Sequence, residues 1–313
     1  MISTGAYRGL FGVCFAAGLT LASCTDIPHR GLPPQSPPTS GPVITSPQQQ
    51  ALASYYNRTQ SNALARGLLR TDGGGPDTPF DMGDILENFQ RIAFYDEYQR
   101  GQGFEKSGQP ATLAKWDSPI RYHIYYGDTV APDQRSTITS EVDAYFQRLS
   151  QITGHPISQS PEHRANFSVI FAGLDDQDAV LDHVTNQHPG TALQATQIIS
   201  SMPRSVHCLV MAFSDQTNGA YSSAIAVIRA EHPDLQRRAC IHEELAQGMG
   251  LANDSPQARP SIFNDDDEFA TLTAMDQVML QILYDPRLTS GMTLDQARPI
   301  LTKIGDDLNR PNS

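Results

Sequence analysis

The chain has 313 residues, a formal charge of −12 and 39% aliphatic and aromatic side chains. That length fits one large domain or two small ones, and the apolar share suffices for a real core. With only 22 scattered Lys and Arg there is no basic patch, which argues against a nucleic-acid partner, because phosphate backbones are held by clustered positive charge.

In chain order, Met1 to Arg8 carries one basic side chain, Gly9 to Leu21 is short, apolar and rich in small residues, and Leu21-Ala22-Ser23-Cys24 follows. A membrane span takes roughly 20 apolar residues, so residues 1–23 read as an export signal instead. Leu-Ala-Ser-Cys resembles the bacterial lipobox. The resemblance implies cleavage before Cys24, lipid on its thiol and an acylated amine, together a stable membrane anchor. It further implies a place in the bacterial cell envelope, facing the periplasm, and Thr25 rather than an aspartate leans toward the outer membrane over the inner. The alternative is an ordinary signal peptide with an incidental cysteine.

Residues 24–50 are Pro, Ser, Thr and Gln with almost no large apolar side chain, and read as a disordered tether. Residues 51–110 read as an N-terminal helical region. A helix over 51–69 precedes the break Gly73-Gly74-Gly75, and a second runs over 84–98 with Ile85, Phe89, Ile92 and Tyr95 at helical spacing.

The main domain, residues 111–313, opens near Trp116, a core anchor. Ile120, Tyr122 and Ile124 alternate with polar neighbours as a half-buried strand does. Pro132 suits a first helical turn, and Ile138, Val142, Tyr145, Phe146, Leu149 and Ile152 make one apolar face of a long helix that Gly154 ends. Strands follow over 167–171, 206–213 and 224–229, then a short helix over 241–249. Thr273 with Asp276, and Thr293 with Gln296, mark capped starts of two C-terminal helices. This order is that of an α+β fold with one mixed sheet.

Of the four cysteines, Cys14 leaves with the signal and Cys24 takes lipid, so Cys208 and Cys240 remain. An even pair in an oxidising compartment reads as one disulfide. A metal-bound pair or two buried thiols are the alternatives.

The stretch from Cys240 to Asp254 carries the chemistry. His242-Glu243 would open a zinc-protease helix, but position 246, where a second imidazole would stand, is Ala. One residue on, Glu243, Glu244, Gln247, Gly250 and Asn253 fall on the five marked positions of H-E-x-x-H-x-x-G-x-x-H. Gly250-Leu251, then Ser261-Ile262-Phe263, then Leu272-Thr273-x-x-Asp276 with Leu283-Tyr284, resemble the turn, the Met-turn and the closing helix of matrixin-like metzincins. The strand, long helix and strand upstream come in the same order. Phrases around Glu243-Glu244, Ser261 to Asp265 and Tyr284 to Leu288 also resemble an uncharacterised family of proteobacterial lipoproteins, defined as a domain of unknown function.

The resemblance implies a metzincin-like mixed sheet with a long backing helix, an active-site-like helix and C-terminal helices. It places Glu244 at the general-base position, but the ligand positions hold a carboxylate and two amides, which suit zinc poorly. The expected role is therefore binding or structural, with an envelope protein or a peptide as partner and no metal or cofactor required. Glu243, Gln247, Asn253, Asp254 and His242 would form a polar network in the metal's place. The alternatives are a hydrolase whose Glu243 recruits His242, His207, His183 or His188 to an atypical metal site with Glu244 as base, or a calcium-like ion at Asp254 or in the run Asp265-Asp266-Asp267-Glu268.

Overall fold

The computed structural model describes residues 45–98, 104, 106–215, 217–264 and 266–310, so the expected export signal, Cys24 and most of the expected tether lie outside the described residues. Everything below concerns the unit that runs from Ser40 to Ser313.

Helix α1 (Pro47–Ala65) starts where Ser46 accepts the Gln49 N–H and a proline fills the first turn. That cap sits in what reads by composition as tether, so the helix begins four residues earlier than the pattern suggests. Helix α2 (Met82–Ala93) starts at an Asp81/Asp84 capping box and buries Ile85, Phe89 and Ile92. It stops at Ala93, whereas the spacing of Tyr95 predicts a longer helix. Tyr95–Tyr98 (β1) instead pairs antiparallel with Lys106–Pro110 (β2), since an aromatic residue suits a strand as readily as a helix face.

The main sheet holds β3 (Ile120–Tyr126), β4 (Ile157–Gln159), β5 (Phe167–Ala172), β6 (Cys208–Ser214) and β7 (Tyr221–Arg229). Helix α3 (Pro132–Thr153) joins the first two, and Gly154 ends it at φ 68°, the left-handed turn that glycine adopts without strain. Helices α4 (Gln177–Gln187) and α5 (Ala192–Ser200) lie between β5 and β6. The strand order is β4-β3-β5-β7-β6, with β6 antiparallel to β7 at one edge and every other pairing parallel. Both faces are covered, so β5 is buried from end to end. On one face Ile170, Ile225, Val227 and Leu209 pack with Val180, Val184, Ala195 and Ile199 of α4 and α5.

The core on the other face takes in α3 and three further helices, α6 (Asp234–Gln247), α7 (Ala274–Leu283) and α8 (Leu294–Leu308). Thr273 and Thr293 cap α7 and α8 with reciprocal bonds to Asp276 and Gln296, as their spacing predicts. Ile85, Phe89 and Ile92 of α2 share this core with Met275, Met279, Leu301 and Ile304. The whole is an α+β fold around one mixed sheet. No helix among the described residues is long and apolar enough to cross a membrane.

Candidate functional site

Helix α6 begins seven residues before the expected position, behind Pro233, with its Gln236 N–H taken by Gln60 Oε1 of α1 at 3.0 Å. Cys240, Glu244 and Gly248 follow one another at four-residue spacing and so share a face. At one end of that face Cys240 is disulfide-bonded to Cys208 of β6, the pairing expected from the sequence. At the other, Gly248 lies so close to Phe167 that a Cβ would stand 2.6 Å from the ring, and its carbonyl accepts the Trp116 indole N–H at 2.8 Å. Glu244 between them is pressed under the sheet and only 4% exposed. Glu243 is half-buried, and oxygens of Glu243 and Glu244 lie within 4.8 Å of each other and of Cys208 Sγ.

His242 turns the other way. Its ring packs against Tyr145 at 4.0 Å between centroids, its carbonyl accepts the Tyr145 hydroxyl at 2.8 Å, and its Nδ1 accepts the Leu272 N–H at 3.1 Å. Burial pushes its pKa down to about 3, so it stands as a neutral imidazole holding α3 and the approach to α7.

Gln247 is 6% exposed and donates from Nε2 to Asp254 Oδ1 at 3.0 Å. Between them Gly250 adopts φ 126°, and a Cβ there would sit 2.3 Å from the Ala114 carbonyl oxygen. Only glycine fits, which is the turn that the pattern implies. The chain then returns past Gln247, but Asn253 does not face it. Asn253 Nδ2 donates to Arg91 O at 2.9 Å and its N–H to Ile92 O at 3.1 Å, closing the end of α2. With His242 turned away to Tyr145, the rest of the expected group divides into three places. Glu243 and Glu244 meet at the disulfide, Gln247 meets Asp254, and Asn253 latches onto α2.

Beneath this lies Asp276, which the sequence marks only as a helix-cap partner. It is wholly buried and accepts from Ser261 Oγ at 2.6 Å, Ile262 N–H at 3.1 Å and Thr273 N–H at 2.8 Å. Burial raises its pKa, against the pull of these donors. The turn from Ser261 to Phe263 is thereby tied to the start of α7, and Phe263 fills the core.

The three other candidate ligand histidines are committed elsewhere. His183 Nδ1 faces Glu162 at 3.1 Å, His188 Nε2 meets Ser168 Oγ at 2.8 Å, and His207 Nδ1 accepts from Gln236 at 2.7 Å. Among the described residues the cluster with metal-ligand proximity is Cys208, Glu243 and Glu244, without a histidine. Ser168 and His188 are both buried within the fold, so this pair offers no open nucleophile. In the acidic run, Glu268 pairs with Arg70 and Arg259, and Asp266 caps the Glu268 N–H; Asp265 lies outside the described residues.

A cavity of about 510 Å³ is lined in part by Arg91, Tyr95, Asn253, Asp254, Gln257 and Arg298. Arg91, Tyr95 and Arg298 come from α2, β1 and α8, and no local spacing links them in the sequence.

No curated protein and no solved structure matches the chain. One family model does, described as a protein of unknown function (DUF2927), over residues 83–303. The match begins in α2, takes in the sheet, α6, the Gly250 turn and α7, and ends inside α8. The elements that build this site are therefore those of the family model, and the chain belongs to the DUF2927 family.

Proposed function

We propose that the protein is a lipid-anchored envelope protein whose metzincin-like domain binds an extended peptide along β6 without cutting it. The observation that carries this reading is the way the pattern's three ligand positions are committed. Gln247 holds Asp254, Asn253 holds the end of α2, and Glu243 lies against the disulfide. Zinc favours imidazole and thiolate donors converging on one point. Two amides and a carboxylate directed to three places form no such point. Glu244, buried under the sheet, has no metal-activated water to deprotonate, and bare carboxylate chemistry gives little hydrolysis.

The metzincin-like part of the reading is supported by the succession of strand, long helix, strand, edge strand, site helix, Gly250 turn, Ser261–Phe263 turn and closing helix. The lipid anchor is supported by Leu21-Ala22-Ser23-Cys24. Binding is supported by β6, which among the described residues pairs with β7 on one side only, so that its other edge offers backbone groups to a strand of opposite or like direction.

The test is hydrogen exchange of the chain, in buffer without reductant, mixed with a pool of random extended decapeptides. The reading predicts added protection concentrated in residues 208–214, with the peptides intact after prolonged incubation with zinc. Peptide hydrolysis that disappears in Glu244→Gln would favour the hydrolase alternative, and protection confined to other segments would refute the β6 edge as the groove.

A further inference from the structure

Cys240, Glu243 and Glu244 stand at positions i, i+3 and i+4 of α6, so the three side chains leave adjoining points of one face. β6 brings a fourth group, because Cys208 is bonded to Cys240. One oxygen of each carboxylate and Cys208 Sγ all lie within 4.8 Å of one another. Two sulfurs and two carboxylates are thus gathered at the junction of the edge strand and the site helix.

As a disulfide the sulfurs carry no charge and make poor ligands. A dithiol reductant changes that by supplying two electrons and two protons. The S–S bond breaks, Cys208 and Cys240 become thiols, and the dithiol closes to its own disulfide. A divalent ion can then take both sulfurs as thiolates, releasing their two protons to solvent. Tetrahedral zinc holds thiolates at about 2.3 Å and carboxylate oxygens at about 2.0–2.2 Å, which sets ligand atoms roughly 3.3–3.8 Å apart. From the present arrangement the sulfurs need only part and the carboxylates close in. Two soft thiolates select zinc over calcium or magnesium, which want six or more oxygens.

We infer that the reduced chain holds one zinc-class ion between Cys208, Cys240, Glu243 and Glu244. This is a redox-gated metal site in which the ion replaces the disulfide as the fastening between β6 and α6. It makes no use of Gln247 or Asn253, and it does not rest on the peptide-binding reading, which is tested in oxidising buffer.

The test is titration of the full chain in detergent with Zn²⁺, with and without a phosphine. The phosphine performs the same two-electron reduction, with water supplying its oxygen and the two protons, and competes little for the metal. The expected result is one equivalent bound by the reduced chain, about 100-fold more tightly than by the oxidised chain. Co²⁺ in place of Zn²⁺ should give thiolate-to-metal charge-transfer absorption in the reduced chain. The doubly substituted Glu243→Gln, Glu244→Gln chain should bind about tenfold or more weakly when reduced, and Cys208→Ser should lose the absorption. If reduction melts the protein, zinc should restore a cooperative thermal transition. No uptake by the reduced chain, uptake indifferent to both glutamine substitutions, or a reduced chain left unfolded by zinc would each overturn the site.

Discussion

Gln247 shows how a single side chain carries the account. Its amide is buried and donates to Asp254, so removing it takes away the bond that ties the exit of α6 to the loop that follows. Gln247→Ala should cost about 1–3 kcal/mol of stability, and an unchanged urea midpoint would show that the bond does not hold the turn. Asp276 is the stronger case. Four donors from two segments, the Ser261 and Thr273 hydroxyls and the Ile262 and Thr273 N–H groups, converge on one wholly buried carboxylate, and Asp276→Ala removes their shared acceptor. A loss of about 3 kcal/mol or more is expected from hydrogen bonds to a charged group, read as a fall in the denaturation midpoint. The sequence displays Asp276 only as the third residue of a capping box. Nothing local announces that Ser261, well upstream, also donates to it, because that contact exists only once the turn has folded back. His242 is legible as chemistry and misleading as a ligand, since its lone pair is already used by the Leu272 N–H.

At the scale of elements, what the sequence shows best is what short-range physics decides. The Thr273 and Thr293 caps, the Pro132 start and the Gly154 stop are all readable, because a cap needs only residues within one turn. The start of α6 is not, because its first turns are polar and depend on Gln60 of α1, distant in sequence, to accept the Gln236 N–H. Likewise Tyr95 fits the helical period of α2 and yet begins a strand, a choice made by pairing with β2. The turn after α6 is the most constrained local feature. Gly250→Ala would bring a Cβ against the Ala114 carbonyl at a φ that L-residues avoid. We expect a loss of about 3 kcal/mol or more, and a thermal midpoint within error of the parent chain would show that the turn can be rebuilt around a side chain.

For the whole molecule, burial of histidines dominates the response to acid. His188, His232 and His242 are pushed down to about 4, 3 and 3 by desolvation. Each is neutral in the folded state and takes up a proton on unfolding below the ordinary histidine value of 6.5. Their contribution is complete above that pH and is lost as pH falls toward the folded values, at about 1.4 kcal/mol per pH unit for each. Asp276 and Glu231 have the opposite sign. Burial raises both, so what they contribute is present below the ordinary carboxylate pKa and lost as pH rises through their folded values. The histidines outnumber them, and the urea midpoint should be flat from about pH 8 to 7 and fall between about pH 6.5 and 5. A midpoint that rises on acidification would contradict this balance.

Across the molecule, composition and periodicity reveal the α+β class and the disulfide, because these follow from local pattern and from the pairing of the cysteines that remain after Cys24. The division of the site into three places is invisible in the sequence, because the positions of Glu243, Gln247 and Asn253 match a known spacing while their partners, Cys208, Asp254 and α2, are set by tertiary packing. Whether that division leaves any metal-dependent chemistry is decided most directly by elemental analysis of the full chain purified without reductant, alongside Gln247→Ala. The account predicts less than stoichiometric zinc in both and no peptidase activity. One zinc per chain that is lost in Gln247→Ala, together with peptide cleavage that ends with it, would contradict it.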